Sequence, residues 1–286
     1  MKKNKSDLSG VLIKVALRLA WAWLKGKIFG KPIDVDMDIT IPPLGKRTIL
    51  SFAINDYNEA NDLKGCINDQ KNIVKTIKKN FPEFIVHKYQ NKEVTKKNFL
   101  SKVTEAILLL EKRDILFVHY SGHGTQVPDL SGDEADGYDE ALYLYDGPLT
   151  DDDLNEVLQY IPEKTTVILV FDSCFSGTST RDLQVGRFKP IDGTLPERKV
   201  VKKKVGRTNM KWIAFSGCSE DQVSYDAFID GKFNGAFTYY FMKAISRGIT
   251  YKEWYDKVRQ YLPNSDYDQI PLLEGDPNLI DRIIFR

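Results

Sequence analysis

The chain has 286 residues, which is enough for one large α/β domain or two modest domains with a buried core. Its 41 Lys and Arg residues almost balance its 40 Asp and Glu residues, so charge does not indicate nucleic acid or an acidic membrane as the main partner. Three cysteines without a CxxC pair favour free thiols in a reducing, cytoplasmic compartment. No uncharged apolar run reaches the roughly 18 residues of a membrane-spanning helix.

The first 30 residues imitate a secretory signal, but Lys14 and Arg18 interrupt the apolar segment. The pattern instead predicts a cationic amphipathic helix over residues 1–30, followed by a connector over residues 31–46. Two interpretations stay open: the helix packs on its own domain, or residues 8–25 attach the chain to a membrane surface or a protein partner. The apolar face of this helix consists of Leu8, Val11, Leu12, Val15, Leu19 and Trp23.

Strands and helices alternate from residue 47 onward, and the strands are almost continuously apolar. Such strands are typical of a mostly parallel sheet that helices cover on both faces. Strands are predicted at residues 48–55, 83–89, 114–122, 165–171 and 211–217, with 141–146 as a further apolar segment and 281–285 as a closing edge strand. Helices are predicted at residues 69–79, 95–113 with Thr95 as the cap, 149–161, 235–246 and 250–262.

The alternation stops between Gln184 and Asn209, a segment that we call the basic loop. Two prolines and a cluster of Lys and Arg predict an exposed, mobile segment there. Its basic residues include Arg187, Arg198, Lys199, Lys204 and Arg207.

Two reactive side chains follow neighbouring candidate strands: His123 within "SGHG" and Cys174 within "DSCFSG". Because parallel α/β sheets react at the carboxyl ends of their strands, we expect these side chains to meet. A histidine beside a cysteine favours the thiolate and protonates a leaving amine, so the pair predicts covalent thiol catalysis. The N–H groups of Gly124 and Cys174 are natural donors to a developing oxyanion.

The other histidines and cysteines fit structural roles better. His119 lies four residues before His123, but on a strand this is not metal-ligand spacing, so we predict a packed core residue. Cys66 and Cys218 are typical of core or loop thiols. The absence of GxSxG, P-loop and GxGxxG motifs excludes the common serine-hydrolase, nucleotide-phosphate and dinucleotide sites.

Together the motifs resemble those of the metacaspases, which are caspase-like cysteine peptidases. The resemblance covers residues 47–276 and rests on "GCIND", "YSGHGTQ", "GDEADGYDEALYLYD", "TDDDL", "DSCFSG", "SGCSEDQVSYD", "GKFNGAFTYYF" and "IPLLEGD". It implies a caspase-like α/β/α sandwich with a mostly parallel six-stranded central sheet, and His123 and Cys174 as the catalytic dyad. It also divides residues 47–286 into a large-subunit-like part (47–183), the basic loop (184–209) and a small-subunit-like part (210–286). Phe175 departs from the histidine that usually follows the catalytic cysteine.

The resemblance also places Asp69, Ser121 and Asp172 in the pocket for the side chain before the scissile bond. Two carboxylates in a partly dry pocket suit Arg or Lys and repel Asp. The expected partners are therefore proteins or peptides with Arg or Lys at that position. Without the resemblance, Asp69 would be interpreted as a solvent-facing residue at the start of a helix.

An acid-rich segment before residue 140 does not fit an EF-hand, because Glu134 stands where that loop requires glycine. The resemblance instead implies a calcium site with Asp139, Asp151 and Asp152, and with Asp182 as the nearest acid after the cysteine. An alternative for the three consecutive Asp residues 151–153 is that they are charges favoured at the start of a helix.

Three hypotheses follow. The first is a calcium-activated, self-processing cysteine endopeptidase that cleaves after Arg or Lys and has no nucleic-acid partner. The second is a catalytically silent caspase-like interaction module, against which the intact dyad argues. The third is a latent cytoplasmic protease that its N-terminal helix recruits to a membrane periphery or a partner.

Overall fold

The structure is a computed structural model, and its strands and helices coincide with the apolar runs of the sequence. It describes residues 45–57, 62–128, 138–173, 185–186, 210–218 and 224–286. The predicted N-terminal helix and residues 31–44 of the connector lie outside these ranges. Cys174, Asp182 and the basic loop apart from residues 185–186 lie outside them as well. Among the helices of these ranges, none has the length and hydropathy of a membrane-spanning segment.

Strands and helices alternate along most of the large-subunit-like part. The strands are β1 (Arg47–Ala53), β2 (Ile85–Gln90), β3 (Ile115–Ser121), β4 (Gly124–Pro128), β5 (Tyr138–Leu144), β6 (Gly147–Thr150), β7 (Thr166–Asp172), β8 (Val185–Gly186), β9 (Trp212–Ser216), β10 (Tyr225–Ile229), β11 (Lys232–Gly235) and β12 (Leu272–Gly275). The helices are α1 (Cys66–Asn80), α2 (Lys96–Leu108), α3 (Asp151–Leu158), α4 (Ala236–Ala244), α5 (Tyr251–Val258) and α6 (Pro277–Ile280).

Six strands form the central sheet, in the order β12–β9–β7–β3–β1–β2. All neighbours pair in parallel except β12, which runs antiparallel to β9 along one edge. β3 and β7 are direct neighbours, and their register ends with Ser121 opposite Asp172. The mostly parallel six-stranded sheet is therefore confirmed.

Apolar side chains cover both faces of this sheet, because successive residues of a strand point to opposite sides. In β3, Ile115 and Phe117 join one apolar layer, whereas Leu116 and Val118 join the other. α2 and α3 pack on the layer of Leu116, while α4 and α5 pack on the layer of Ile115. Burial of each such side chain stabilises the fold by about 1.5–3 kcal/mol. The predicted α/β/α sandwich is confirmed.

Threonines are the N-cap residues of three helices. Thr95 Oγ1 accepts the N–H of Asn98 at 3.2 Å, which is the predicted cap of α2. Thr150 and Thr250 begin α3 and α5 with reciprocal capping boxes. A cap of this kind typically stabilises a helix by about 1 kcal/mol.

The closing edge strand of the sheet is β12, so the prediction of residues 281–285 for this role is wrong. Ile283 forms only an isolated bridge with Thr250. Phe285 has a φ of 56° and packs edge-on against the rings of Phe81 and Phe84. Ile284 and Phe285 therefore fill the core under the sheet instead of pairing along its edge, whereas Ile283 is exposed.

Two small antiparallel sheets add to the predicted architecture: β4–β5–β6 and β11–β10–β8. The β10–β11 hairpin turns at Asp230 and Gly231, whose φ angles of 51° and 75° suit a two-residue turn. β8 pairs with Tyr225 and Asp226. The basic loop was predicted to lack regular structure, but near its start it forms this short strand.

Candidate active site

His123 lies directly after β3 and is almost completely buried. Its backbone N–H donates to Tyr57 Oη at 2.7 Å. Its carbonyl accepts hydrogen bonds from Tyr120 Oη at 2.8 Å and from the Tyr143 N–H at 2.9 Å. The Tyr57 ring also packs against the imidazole, with ring centroids 4.8 Å apart. Three tyrosines thus position the histidine without any contribution from substrate.

Gly122 precedes the histidine because tyrosine hydroxyls fill the space that a side chain would need. A Cβ atom at this position would lie 2.3 Å from Tyr120 Oη and 2.6 Å from Tyr57 Oη. Both distances are far inside van der Waals contact. The glycine is therefore required by the same two hydroxyls that hold the His123 backbone.

Gly124 begins β4 and lies opposite Leu142 of β5. The Tyr143 N–H donates to the His123 carbonyl, one residue beyond this pair. In an antiparallel ladder this makes Gly124 and Leu142 a non-hydrogen-bonded pair, whose N–H groups point away from the partner strand. The Gly124 N–H therefore points to the outer side of β4, an orientation compatible with its predicted role as an oxyanion donor.

Cys174 lies outside the described residues, but Ser173, to which it is bonded, is buried at the end of β7. Ser121 and Asp172 are opposite one another on β3 and β7. His123 and Cys174 thus each follow a paired position by two residues, at the carboxyl ends of adjacent strands.

His119 and the thiols of Cys66 and Cys218 are buried in the core. His119 Nδ1 lies 2.8 Å from Ser51 Oγ, and its side chain is fully buried, as predicted. Cys66 and Cys218 are buried thiols, in agreement with the structural role expected for them. Cys218 Sγ lies 3.5 Å from the Ser173 carbonyl.

Asp69 lies in the first turn of α1, which begins at Cys66, three residues earlier than predicted. The side chain is fully buried, so the alternative of a solvent-facing residue is wrong. Its carboxylate accepts hydrogen bonds from Ser121 Oγ and from the Gly235 N–H, both at 2.8 Å. Asp69 thereby connects the end of β3 with the end of β11.

Asp172 is the last residue of β7 and is also fully buried. Its Oδ1 accepts a hydrogen bond from Ser224 Oγ at 2.5 Å, and its Oδ2 accepts one from the Thr238 N–H at 2.9 Å. Gly217 approaches this carboxylate closely, because a Cβ atom there would lie 3.4 Å from Asp172 Oδ1 and 3.0 Å from Ser224 Oγ. The small-subunit-like part therefore surrounds the end of β7.

The structure brings Asp69, Ser121 and Asp172 into one cluster. Ser121 lies opposite Asp172 and donates to Asp69. Both carboxylates accept N–H groups at the start of α4, whose own N-cap residue, Gly235, supplies no side-chain cap. The negative charges thus lie at the positive end of the helix dipole. That this cluster holds a substrate side chain stays a prediction.

Buried side chains that the sequence argument missed support this cluster. Asp226 accepts the N–H groups of Lys64 and Gly65, each at 2.8 Å, just before α1. Ser224 and Asp226 belong to "SGCSEDQVSYD", which carried the family resemblance without assigning roles to them. Ser224 and Asp226 flank Tyr225, and this polar–aromatic–polar alternation is the sequence signal that could have indicated them.

Gln269 forms hydrogen bonds with Gly217 and Tyr225, which lie on either side of Ser224 in the chain. Its Nε2 donates to the Gly217 carbonyl at 2.7 Å, and its Oε1 accepts the Tyr225 N–H at 3.2 Å. The side chain is fully buried. No sequence pattern around Gln269 indicated this role, because its partners lie 44 and 52 residues away in the chain.

The predicted metal ligands occupy the β5–β6 region. Asp139 is buried in β5, two residues before Ala141, which lies opposite Thr150. Asp151 and Asp152 follow Thr150 at the start of α3. The antiparallel register therefore brings these three carboxylates to the same end of the small sheet.

Asp153 has the alternative role, that of a charge at the start of a helix. Its carboxylate accepts the Thr150 N–H at 3.4 Å and completes the capping box. Across the described ranges, no three or more His, Cys, Asp or Glu side chains are arranged to hold a metal ion. Asp182 lies outside those ranges. The oxygen donors have the chemistry that calcium prefers, but within the described residues they do not form an assembled set of ligands.

Comparison with known proteins agrees with this architecture. A family model described as the caspase domain matches residues 46–278. Metacaspase-1A of Aspergillus oryzae is 30% identical over 296 residues, which cover 84% of this chain and 70% of that protein. A solved structure of a protein from Geobacter sulfurreducens has a TM-score of 0.64 and 28% identity, covering 84% of this chain and 98% of that one.

Caspase-1 from Spodoptera frugiperda has a TM-score of 0.57 at 13% identity, covering 91% of this chain and 97% of that one, and this likeness supports the fold alone. The caspase-domain match includes His123, Cys174, Asp69, Ser121 and Asp172 within its bounds. The resemblance to metacaspases is confirmed by relatives that align over most of the chain. The chain therefore belongs to the caspase domain family and is, like the metacaspases, a cysteine-type endopeptidase.

Proposed function

We propose that this endopeptidase cleaves after Arg or Lys, with Cys174 as the nucleophile and His123 as the acid–base group. The observation that carries the proposal is the pair of buried carboxylates, Asp69 and Asp172, at the sheet edge where the dyad residues follow their strands. A guanidinium or ammonium group supplies the opposite charge, whereas a substrate Asp would add a third negative charge.

The reaction begins when His123 removes the thiol proton of Cys174 and the thiolate sulfur attacks the scissile carbonyl carbon. The carbonyl electron pair moves to the oxygen, which accepts hydrogen bonds from the N–H groups of Gly124 and Cys174. The C–N bond then breaks, and the His123 imidazolium gives its proton to the leaving amine. Water, deprotonated by His123, hydrolyses the thioester and releases a carboxylic acid product and the thiol.

The tyrosine contacts support this assignment of His123. A general base acts only within hydrogen-bond reach of its proton, so its position matters as much as its basicity. Tyr57, Tyr120 and Tyr143 hold both backbone polar groups of the histidine. The backbone of His123 is therefore fixed just after β3, and the Tyr57 ring packs against the imidazole.

The test uses the full chain and fluorogenic peptides that differ only in the residue before the reporter. We expect rapid release from Arg and Lys peptides and little or none from the matching Asp peptide. Each peptide is assayed with calcium and with a chelator, so that specificity and calcium dependence are separated. Preference for Asp would overturn the proposed specificity. Failure of all peptides, together with failure of an arginyl electrophile to label Cys174, would favour a silent interaction module.

We also propose that calcium binds through Asp139, Asp151 and Asp152, with Asp182 as a further ligand. The β5–β6 register supports this grouping, and the cap of α3 uses Asp153 instead of these residues. Isothermal titration of calcium into the Cys174→Ala protein tests binding without self-cleavage. The variant with both Asp151 and Asp152 changed to Ala is the control and should bind at least about tenfold more weakly. Equal binding by the two proteins would overturn the ligand assignment.

For residues 8–25 we propose attachment to a membrane surface, with a protein partner as the alternative. The support is the amphipathic pattern of the sequence, since these residues lie outside the described ranges. Vesicle co-sedimentation of the full chain and of a variant lacking residues 1–30 tests it. The truncated protein should lose vesicle binding and keep small-peptide hydrolysis, because no dyad or pocket residue lies in the deleted segment. Insoluble or inactive protein would instead assign the helix to the core.

A further inference from the structure

Thr238 carries a buried hydroxyl next to the pocket carboxylates. It is the third residue of α4, and its backbone N–H donates to Asp172 Oδ2 at 2.9 Å. The side chain is fully buried, yet its Oγ1 forms no hydrogen bond with any atom in the described part of the chain. A buried hydroxyl without a partner destabilises a folded protein, and a valine of similar shape would avoid this cost. Folding alone therefore does not explain a threonine here.

Covalent geometry keeps this hydroxyl close to the pocket. The bonds from the Thr238 nitrogen to Oγ1 limit their separation to about 4 Å, so Oγ1 lies within about 7 Å of Asp172 Oδ2. Asp69 holds the Gly235 N–H at the start of the same helix. The beginning of α4 thus contacts both carboxylates and carries the hydroxyl.

We infer that Thr238 Oγ1 is an additional acceptor for the basic side chain of the substrate. This inference rests on the proposed function, because it adds a specificity residue to the same pocket. A guanidinium presents five N–H donors in a planar fork, whereas an ammonium presents three around a point charge. The fork reaches a carboxylate and a neighbouring hydroxyl at once, so Thr238 selects Arg over Lys.

Three variants of the full chain test the inference. Thr238→Val replaces the hydroxyl by a methyl group, and Thr238→Ser keeps the hydroxyl. Thr166→Val is the matched control, since Thr166 is a buried threonine at the opposite end of the seven-residue β7, about 20 Å from Asp172. The values of kcat and KM are measured with Arg and Lys peptides, and thermal unfolding is followed for each protein.

For Thr238→Val we expect kcat/KM to fall about ten- to hundredfold for the Arg peptide and clearly less for the Lys peptide. Its unfolding temperature should equal or exceed that of the unaltered protein. Thr238→Ser should restore most of the Arg efficiency, and Thr166→Val should leave the Arg-to-Lys ratio unchanged.

An unchanged Arg-to-Lys ratio in Thr238→Val would overturn the inference while leaving the proposed function intact, provided that the unaltered protein cleaves Arg peptides. Equal losses for Arg and Lys with a lower unfolding temperature would assign Thr238 to folding and also overturn it. If the unaltered protein cleaves neither basic peptide, the proposed function fails and this inference fails with it.

Discussion

Asp69 and Asp172 hold the same end of helix α4 from two sides. Asp69 accepts the Gly235 N–H at 2.8 Å, and Asp172 accepts the Thr238 N–H at 2.9 Å, three residues further along the chain. One carboxylate comes from α1 and the other from β7, so the proposed substrate pocket also attaches the small-subunit-like part to the central sheet. A substitution in this pocket changes stability and specificity together, and experiments on it need a stability control.

Removal of either dyad side chain should abolish peptide hydrolysis without unfolding the protein. Cys174→Ala lacks the nucleophile, and His123→Ala lacks the group that activates it and protonates the leaving amine, so kcat should fall at least about 10²- to 10⁴-fold. Cys66→Ala is the control, because this thiol packs in an apolar layer, and it should keep most activity. Hydrolysis of an Arg peptide and thermal melts measure both effects. Near-normal turnover in either dyad variant would contradict the assignment.

Asp172→Asn should weaken both the fold and the recognition of a basic side chain. The amide replaces one of two acceptor oxygens, so the free energy of unfolding should fall by about 1–3 kcal/mol. Loss of the charge should lower kcat/KM for the Arg peptide about ten- to hundredfold.

The matched control for Asp172→Asn is Asp114→Asn, just before β3 and therefore at the opposite end of the sheet. Asp114 is a buried carboxylate that accepts the Lys46 N–H at 2.7 Å and the Glu111 N–H at 2.8 Å. The Asp114→Asn variant should lose a similar amount of unfolding free energy, measured in urea, and keep the kcat/KM of the unaltered protein. Equal kinetic losses in the two variants would show that the effect comes from general destabilisation.

Gly122→Ala should displace His123, because the new Cβ cannot coexist with the hydroxyls of Tyr120 and Tyr57. A shift of the base by about 1 Å is enough to lower kcat about a hundredfold. Gly248→Ala is the control: its φ of 83° makes alanine unfavourable by about 1–2 kcal/mol, but nothing described lies within 4 Å of the added atom. Comparable kcat values for the two variants would argue against the steric explanation.

Tyr239 should make stability depend on pH in the alkaline range. Its hydroxyl donates to Asp230 at the turn of the β10–β11 hairpin, and this bond together with burial raises the pKa of Tyr239 to about 12. The folded protein thus favours the neutral phenol relative to the ordinary pKa of 10.0. Its contribution is fully present below pH 10 and is lost as pH rises through 12.

The measurement for Tyr239 is urea unfolding of the unaltered protein and of Tyr239→Phe across this pH range. The stability advantage of the unaltered protein should shrink as the pH rises, because Phe cannot ionise. A difference that stays constant up to pH 12 would contradict the raised pKa.

Self-cleavage is expected within residues 184–209. This loop offers Arg and Lys, and its strand β8 pairs with Tyr225 and Asp226, next to the Ser224 that holds Asp172. Mass spectrometry of calcium-treated protein should find cuts after basic residues of the loop, none in Cys174→Ala, and fewer when Asp151 and Asp152 are Ala. Cuts outside the loop, or equal cutting in chelator, would contradict the link between calcium and processing.

The local patterns of the sequence determined the layered α/β fold. Apolar runs, helical periodicity and the Thr95 cap depend on residues close in the chain, and the central sheet and sandwich agree with them. Local sequence patterns also led to two errors in the predicted elements. The Asp230–Gly231 turn was recognisable as a hairpin and was missed. Residues 281–285 have a strand-like pattern, but Ile284 and Phe285 pack in the core and Ile283 forms only an isolated bridge.

His123 and Cys174 were recognisable from sequence because each lies two residues after an apolar strand, and the carboxyl ends of parallel strands share one edge of a sheet. The surroundings of these residues required the tertiary structure. Gly235 lies 166 residues from Asp69, and Ser224 lies 52 residues from Asp172, yet both pairs are hydrogen-bonded. No local pattern specifies such partners, because a buried carboxylate takes whichever donors the packing of several distant elements brings within about 3 Å.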